Sequence, residues 1–136
     1  MAANAEVVER LYEAFERRDT QALAALVDPQ EFVFWAPGTA EVAGRDGPYR
    51  GRDGLGEYLA DVARLWQDLR AEAQELRETG DLVVVTGRLY AWRVGRVIDA
   101  PAGWVWRLRD GLVVEGRVFE SQREALVATG LVDPGG

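Results

Sequence analysis

Apolar positions recur at helical spacing in three segments of the first half of the chain. Residues 6–18 and 53–69 each carry one apolar stripe opposite a face rich in charge, and a shorter stripe lies at 20–27. A β-branched and aromatic run at 32–35 predicts a short strand between the second and third helices. Residues 37–51 are rich in Gly, Pro and charge, so we expect a long loop there, which is a candidate lid.

Strand signals dominate the second half of the chain. Residues 71–78 are weakly extended, and residues 82–93 form a long run rich in Val, Tyr and Trp. Asp110-Gly111 is a strong hairpin turn, and it joins apolar runs at 104–109 and 112–120. The second half therefore predicts four consecutive antiparallel strands.

Two shorter features complete the predicted order of elements. Glycines and a proline punctuate residues 94–103, which we interpret as a connection, and residues 121–124 fit a capping box that begins a short last helix. Helices gathered before a strand meander are typical of an α+β fold. We expect one domain over residues 1–136, a cone-shaped, curved and mostly antiparallel sheet wrapped around three N-terminal helices, with an internal pocket.

The composition limits which catalytic groups and metal ligands the chain can offer. The chain has neither cysteine nor histidine, which excludes thiol nucleophiles and the commonest general base and metal ligand. We therefore expect neither a metal site nor a cofactor, since phosphate-binding glycine motifs are missing as well.

Charge and hydropathy bear on partners and compartment. The net charge is −7, and the positive charges are arginines scattered along the chain, so we expect no nucleic-acid partner. No apolar run approaches the ~20 residues that span a bilayer, so we expect no membrane partner. A soluble cytoplasmic protein is the corresponding prediction.

Four motifs carry a resemblance to a known family. The first helix runs into the RRD segment at 17–19, YRGRDG at 49–54 leads into the third helix, GDLVVV at 80–85 begins the long strand, and RLRDG at 107–111 precedes the last strand. In their order and spacing, the motifs resemble the nuclear-transport-factor-2-like superfamily and, within it, the SnoaL-like group. That resemblance implies the cone fold and a pocket, and it covers nearly the whole chain.

The group includes ketosteroid isomerases, which use a Tyr, a carboxylate base and a protonated Asp. The resemblance places the Tyr one residue before Tyr12, the base at Trp35 or Ala36, and the Asp at Gly103 or Trp104. Since no carboxylate stands at either acidic position, steroid-isomerase chemistry is disfavoured.

Two other chemistries of the group are also incomplete. An epoxide-hydrolase pattern is matched by Arg88, but its two acids correspond to Tyr90 and Val118. The aspartate of the polyketide cyclases corresponds to Ser121, and the adjacent Glu120 could replace it only if the last strand carries a bulge. No mechanism of the group transfers intact.

We expect the protein to bind a hydrophobic small molecule in its pocket. The candidate catalytic residues are Arg88, Tyr90 and Glu120. The candidate ligand-binding residues are Tyr12, Phe15, Trp35, Tyr58, Trp92 and Val118. If the protein is an enzyme, cofactor-free isomerase, cyclase or hydrolase chemistry is expected. The alternative is a non-catalytic ligand-binding or dimerisation module, in which the aromatic residues pack the core.

Strand alternation predicts which side chains face the pocket. If Arg88 points inward, Tyr90 and Trp92 do so too. In the last hairpin, regular pairing from the Asp110-Gly111 turn puts residues 116, 118 and 120 on one face and the Trp- and Phe-bearing set at 104, 106 and 119 on the other. The family resemblance implies that residues 116, 118 and 120 lie inside, which leaves the aromatic set outside. An exposed face of that kind would be covered, so we expect a homodimer through the outer sheet face.

Overall fold

The computed structural model describes residues 3–131. Within these residues the helices are α1 (Asn4–Glu16), α2 (Thr20–Leu26), α3 (Pro37–Ala43), α4 (Gly51–Leu65) and α5 (Gln122–Ala128). The strands are β1 (Val33–Trp35), β2 (Tyr49–Arg50), β3 (Asp68–Thr79), β4 (Leu82–Arg93), β5 (Arg96–Arg109) and β6 (Leu112–Phe119).

The strands form one curved, unclosed sheet in the order β2-β1-β6-β5-β4-β3. Every neighbouring pair is antiparallel except β1 and β6, which are parallel. The predicted α+β class and the meander of the last four strands are confirmed. Among the described residues, no helix is both long and apolar enough to cross a bilayer.

The apolar stripes of α1 and α4 form the helical half of the core. Val8 and Leu11 of α1 are buried, as are Leu55, Tyr58 and Val62 of α4. Their glutamates and arginines lie on the opposite, solvent-facing sides, as the helical spacing predicts. The two helices therefore cover the concave side of the sheet, and the space between them and the sheet is where a site can form.

The prediction of a continuous loop over residues 37–51 is wrong. The segment contains α3 and β2, so four helices precede the long strands rather than three. Pro37 stands in the first turn of α3, and Gly44 ends it with a left-handed backbone (φ 71°). Proline and glycine are tolerated at those two ends of a helix, so a composition typical of a loop conceals one here.

The predicted connection at 94–103 is also replaced by regular structure. β4 and β5 pair from Leu82–Arg107 to Arg93–Arg96 as one long hairpin. Pro101 lies inside β5, but β6 pairs with β5 only from Gly103 onward. Because one edge of β5 has no neighbouring strand at residue 101, a residue without an N–H is tolerated there.

A bulge changes the register of the last hairpin. Leu108 pairs with Val113, but the next pair is Arg107 with Glu115, so Val114 has no partner opposite it. Two residues on one strand then oppose one on the other, and the residues after the bulge exchange faces relative to β5.

The bulge reverses the predicted orientation of the tryptophans. Trp106 lies opposite Gly116 and Trp104 opposite Val118, so all four share the concave face. Trp104 and Trp106 are 3% and 6% exposed. Regular pairing combined with the family resemblance placed them outside, and that prediction is wrong. The two tryptophans of the surface from which a homodimer was inferred are therefore part of the core.

The last helix packs against the sheet near its middle. The side chain of Ser121 accepts a hydrogen bond from the Glu124 N–H, which confirms the predicted cap of α5. A Cβ added to Gly103 would lie 2.5 Å from the Cβ of Ala125, and Gln122 donates a hydrogen bond to the Gly87 carbonyl at 3.0 Å. The central strands are consequently covered on both faces.

Candidate functional site

A cavity of about 60 Å³ lies between the helices and the concave face of the sheet. Its walls come from α1, α2, α4, the start of β1, and β3 and β5. They are formed by Leu11, Tyr12, Phe15, Leu23, Phe32, Phe34, Leu55, Tyr58, Ala71, Trp104 and Trp106. Among the described residues, this wall includes neither a carboxylate nor a guanidinium group, so its polar atoms are those of phenol and indole groups.

A second cavity of about 40 Å³ lies beside the first, toward α3. The two cavities share Tyr58, Ala71 and Trp104 as wall residues. The second wall is otherwise lined by Ala36, Gly38, Thr39, Trp66, Leu69, Leu89, Ala91, Ile98 and Val118. The indole N–H of Trp66 donates to the Thr39 hydroxyl at 3.2 Å, which satisfies the N–H of that buried tryptophan.

The aromatic rings of the wall support one another. Phe34 stacks on Trp106 with 5.5 Å between ring centroids, and it meets Tyr58 edge to face at 4.9 Å. Tyr12 contacts both tryptophans edge to face, at 5.6 Å to Trp104 and 6.0 Å to Trp106. Such pairs contribute about 0.5–1.5 kcal/mol each beyond their burial, so the rings hold defined positions.

Tyr12 presents a half-buried phenol in the wall of the cavity. Its oxygen accepts a hydrogen bond from the Trp106 indole N–H at 3.1 Å, while its own proton has no acceptor among the described residues. Burial raises the pKa of Tyr12 well above its usual value, and the Trp106 hydrogen bond offsets this only in part. Tyr12 is therefore a neutral hydrogen-bond donor whose proton lacks an acceptor within the described part of the chain.

Tyr58 is a second donor of the same kind. Its side chain is buried, with 8% of the residue exposed, and its hydroxyl has no hydrogen-bond partner in the part of the chain that the structure describes. Burial raises the pKa of Tyr58, and the positive charge of Arg18 partly opposes that rise. The hydroxyl stays protonated in the wall that separates the two cavities.

Arg18 lies at the edge of the first cavity, just after α1. Its guanidinium stacks over the Phe15 ring at 4.0 Å, donates to the Phe15 carbonyl at 2.5 Å and donates to the Leu69 carbonyl of β3. Phe15 in turn stacks on Tyr58 with 6.1 Å between centroids. Arg18 thus connects the end of α1 to β3 beside the ring that covers Tyr58.

A surface groove opens beside Arg18 and shares wall residues with the cavity. Tyr12, Phe15 and Ala71 line both the groove and the cavity, so the groove is the nearest approach from solvent. The carboxylates of the groove are Glu9, Glu13, Glu16, Asp68 and Glu72.

Three predicted site residues lie on the opposite face of the sheet from the cavities. Leu89 and Ala91 of β4 line the second cavity, so the alternating Arg88, Tyr90 and Trp92 point outward. Arg88 is 44% exposed and pairs with Asp99 at 3.0 Å. The expectation that Arg88 points inward is wrong, and with it the inward placement of Tyr90 and Trp92.

The inward placement of Arg88 was wrong because β4 is buried on both faces. Val83, Val84 and Val85 are each at most 1% exposed, because the helices cover one side and α5 covers the other. A strand buried on both faces has no polar–apolar alternation from which its inward face can be read. The orientation of Arg88 therefore followed from the family pattern alone.

The remaining predicted residues divide between two places. Tyr12, Phe15 and Tyr58 line the first cavity, and Val118 lines the second. Trp35 and Glu120 lie in an open groove between α3 and the end of β6, where the Arg117 guanidinium covers the Trp35 ring at 4.9 Å. The three candidate catalytic residues are not brought together by the fold.

Sequence reasoning missed most of the cavity wall, including its whole sheet side, and it missed the arginine at its edge. Trp104, Trp106 and Phe34 form its sheet side, and Arg18 lies at its edge. A signal for one of them exists, since a glycine in a strand interior, here Gly116, is typical of a place where a large neighbour approaches the backbone. Gly116 points to Trp106 only if the bulge, which sets the pairing of the two strands, is already known.

Comparison with solved structures identifies the fold. The chain is similar to an NTF2-like protein of unknown function from Burkholderia pseudomallei, with 26% identity and a TM-score of 0.77, over 93% of this chain and 96% of the other. It is also similar to IdmH from Streptomyces antibioticus, a putative polyketide cyclase, with 26% identity, a TM-score of 0.71, and 95% and 99% coverage. A protein of unknown function with a cystatin-like fold from Xanthomonas campestris shares the fold at 20% identity and a TM-score of 0.76, over 91% of this chain and 97% of the other.

Sequence comparison assigns the family. No curated protein matches the chain significantly. The family profile described as the SnoaL-like domain matches residues 8–116, which include most of α1, the other helices that line the cavities and most of the sheet. The chain therefore belongs to the SnoaL-like domain family, as the motifs at 17–19, 49–54, 80–85 and 107–111 predict.

Proposed function

We propose that this SnoaL-like protein binds a small apolar molecule that carries a hydrogen-bond acceptor oxygen, with the apolar part held in the aromatic cavity. The observation that carries the proposal is a pair of hydroxyls in the cavity wall, those of half-buried Tyr12 and buried Tyr58, whose protons have no acceptor among the described residues. A fully buried donor without a partner costs about 1–3 kcal/mol, and a carbonyl or phenol oxygen of a ligand would remove the part of that cost that these two hydroxyls carry.

The size of the cavity bears on how a ligand is held. A volume of about 60 Å³ holds only a few water-sized groups, so a ring-containing ligand must displace at least one wall side chain. Tyr58 is the natural candidate, because it separates the two cavities and its movement would join them. We therefore expect the ring of Tyr58 to move when ligand binds.

The chemistry of the wall favours binding over acid–base catalysis. A general base must lie within hydrogen-bond reach of the proton that it removes, and no carboxylate lines either cavity in the described part of the chain. The donors Tyr12 and Tyr58 could polarise a carbonyl and hold a flexible ligand in one conformation. Cyclisation of a reactive substrate by orientation is the second candidate function, and the likeness to a putative polyketide cyclase supports it.

A matched pair of ligands tests the proposal. Acetophenone has an acceptor oxygen, and isopropenylbenzene has the same shape with a CH₂ group in its place. We expect the wild-type protein to bind acetophenone about fivefold more tightly in ligand-observed NMR titrations, because one net hydrogen bond contributes about 1 kcal/mol. The double variant Tyr12→Phe, Tyr58→Phe should lose that preference.

The control is Tyr49→Phe. Tyr49 is also buried, but its hydroxyl donates to Asp61 at 2.8 Å and lies outside both cavities, so the preference should persist. Equal affinity for the two ligands in the wild type, or a preference that survives in the double variant, would overturn the proposal.

We also propose a homodimer through the outer face of the β4–β5 hairpin. Its residues differ from the set at 104, 106 and 119 from which the sequence predicted a dimer. Trp92 and Val97 pair across the two strands and are 39% and 70% exposed. Tyr90 lies next to them, and the half-exposed pair Arg88–Asp99 gives the face both signs of charge. An isologous contact can match each charge with its opposite on a second copy.

A further inference from the structure

We infer that Arg18 is a specificity-determining residue, and that it favours ligands whose acceptor oxygen is anionic, such as an enolate, a phenolate or a carboxylate. This inference rests on the proposed function, because it names the class of molecule that the same cavity takes. It assigns the acceptor oxygen to the side of the cavity where Tyr12 and Phe15 also line the groove.

The position of Arg18 is held by three contacts. Its two terminal nitrogens donate to the carbonyls of Phe15 and Leu69, and its plane lies over the Phe15 ring. Arg18 also adopts a left-handed backbone (φ 53°), which is unfavourable for a residue with a side chain. A guanidinium has five N–H donors, so two bonds to carbonyls leave three for a ligand. The cation is therefore fixed in place but not saturated.

Arg18 also lies next to the ligand's path. It lines the groove that shares Tyr12, Phe15 and Ala71 with the cavity. A molecule whose apolar part occupies the cavity and whose oxygen points toward the groove would meet the phenol of Tyr12, which lines both, and the guanidinium of Arg18 in the groove wall. A neutral phenol and a cation together make a stronger site for an anionic oxygen than either does alone.

The acidic groups of the groove do not cancel this effect at Tyr58. Glu9, Glu13 and Glu16 of α1 and Asp68 and Glu72 of β3 line the groove, and Asp68 is paired with Arg70 at 2.8 Å. The positive charge of Arg18 reaches the Tyr58 hydroxyl and lowers its pKa against the effect of burial. Arg18 and the glutamates of the groove are all exposed, so salt screens all of these charges over about 8 Å, and a ligand oxygen in contact with Arg18 responds to that charge most.

Benzoate and benzamide test the inference, because they have the same shape and differ in charge. At pH 7.5 the wild-type protein should bind benzoate more tightly than benzamide in ligand-observed NMR titrations. In Arg18→Gln we expect benzoate affinity to fall about tenfold, which corresponds to about 1.4 kcal/mol, while benzamide affinity changes less than about twofold.

Two further variants separate charge from folding. Arg17→Gln removes the neighbouring exposed arginine, whose side chain has no hydrogen bond or ion pair within residues 3–131, and should keep the benzoate preference. Arg18→Lys keeps the positive charge without the forked contacts to the two carbonyls, and should retain part of that preference. The thermal midpoint of each variant, measured in parallel, checks that it is folded.

The outcomes distinguish the inference from the function on which it rests. If the wild type binds neither compound, the proposed function fails, and the inference fails with it. If the wild type binds both compounds equally, the inference alone is overturned. The same holds if Arg18→Gln and Arg17→Gln change the preference for benzoate by the same amount. In either case the proposed binding of a ligand with a neutral acceptor oxygen still stands.

Discussion

The ring of Trp106 occupies the place that a side chain at residue 116 would take. A Cβ built on Gly116 would lie 2.3 Å from Cζ3 of Trp106 and 3.0 Å from Cδ1 of Phe34. Because both rings belong to the cavity wall, Gly116 is the position at which the sheet backbone makes room for the site.

Gly116→Ala should destabilise the protein by about 1–3 kcal/mol, because the added methyl group must displace two stacked rings in a packed core. Urea denaturation followed by tryptophan fluorescence measures the change. The control is Gly56→Ala in α4, where nothing lies within 4 Å of the new methyl group. That variant should be more stable by about 0.4–1 kcal/mol. Equal effects of the two substitutions would contradict the close contact at Gly116.

The buried tyrosines predict a loss of stability in alkali. Burial raises the pKa of Tyr12, Tyr49 and Tyr58 above their usual value of 10.0 in the folded protein. Below pH 10 both folded and unfolded chains are protonated at these sites. Above it the unfolded chain releases protons that the folded chain keeps, so stability falls by about 1.4 kcal/mol per pH unit for each tyrosine.

Denaturation midpoints measured between pH 9 and about pH 11 test this prediction. Tyr58→Phe should make the decline less steep, since it removes one of the shifted groups. A folded protein whose phenolate absorbance rises near pH 10 as much as that of the unfolded chain would refute the assignment.

Arg88→Ala should leave acetophenone affinity within about twofold of the wild type, because Arg88 points away from both cavities and pairs with Asp99. Its loss should cost at most about 1 kcal/mol of stability, as for other exposed ion pairs. Titration and urea denaturation of Arg88→Ala and Asp99→Ala measure both quantities. A large loss of affinity in Arg88→Ala alone would restore the role that the family pattern assigns to it.

Trp92→Glu should convert the proposed dimer into a monomer at micromolar concentration, because it places a charge in the apolar centre of the contact. Light scattering coupled to size exclusion measures the mass. Gln21→Glu, a matched change at an exposed position of α2, should leave the dimer intact. A wild-type protein that is monomeric under the same conditions would refute the dimer.

The elements that could be predicted are those whose signal is local. The stripe containing Val8 and Leu11 predicts α1, and Asp110-Gly111 predicts the turn of the last hairpin, because helix periodicity and turn geometry depend on a few neighbouring residues. Tyr12, Phe15 and Tyr58 were found for the same reason, since they lie on or beside those stripes. The family motifs added the order of the strands.

The tertiary structure alone decided which face of each strand meets the cavity. One unpaired residue, Val114, turns Trp104 and Trp106 inward, and no local pattern announces it. In β4 the faces could not be told apart, because α5 buries Val84 as completely as the helices bury Val83. The composition established that any site must work without histidine or cysteine. The packing decided that its polar groups include two phenols whose protons have no acceptor in residues 3–131, with an arginine beside them. A strand's inward face depends on what covers each side, and that is a property of contacts between residues far apart in the chain.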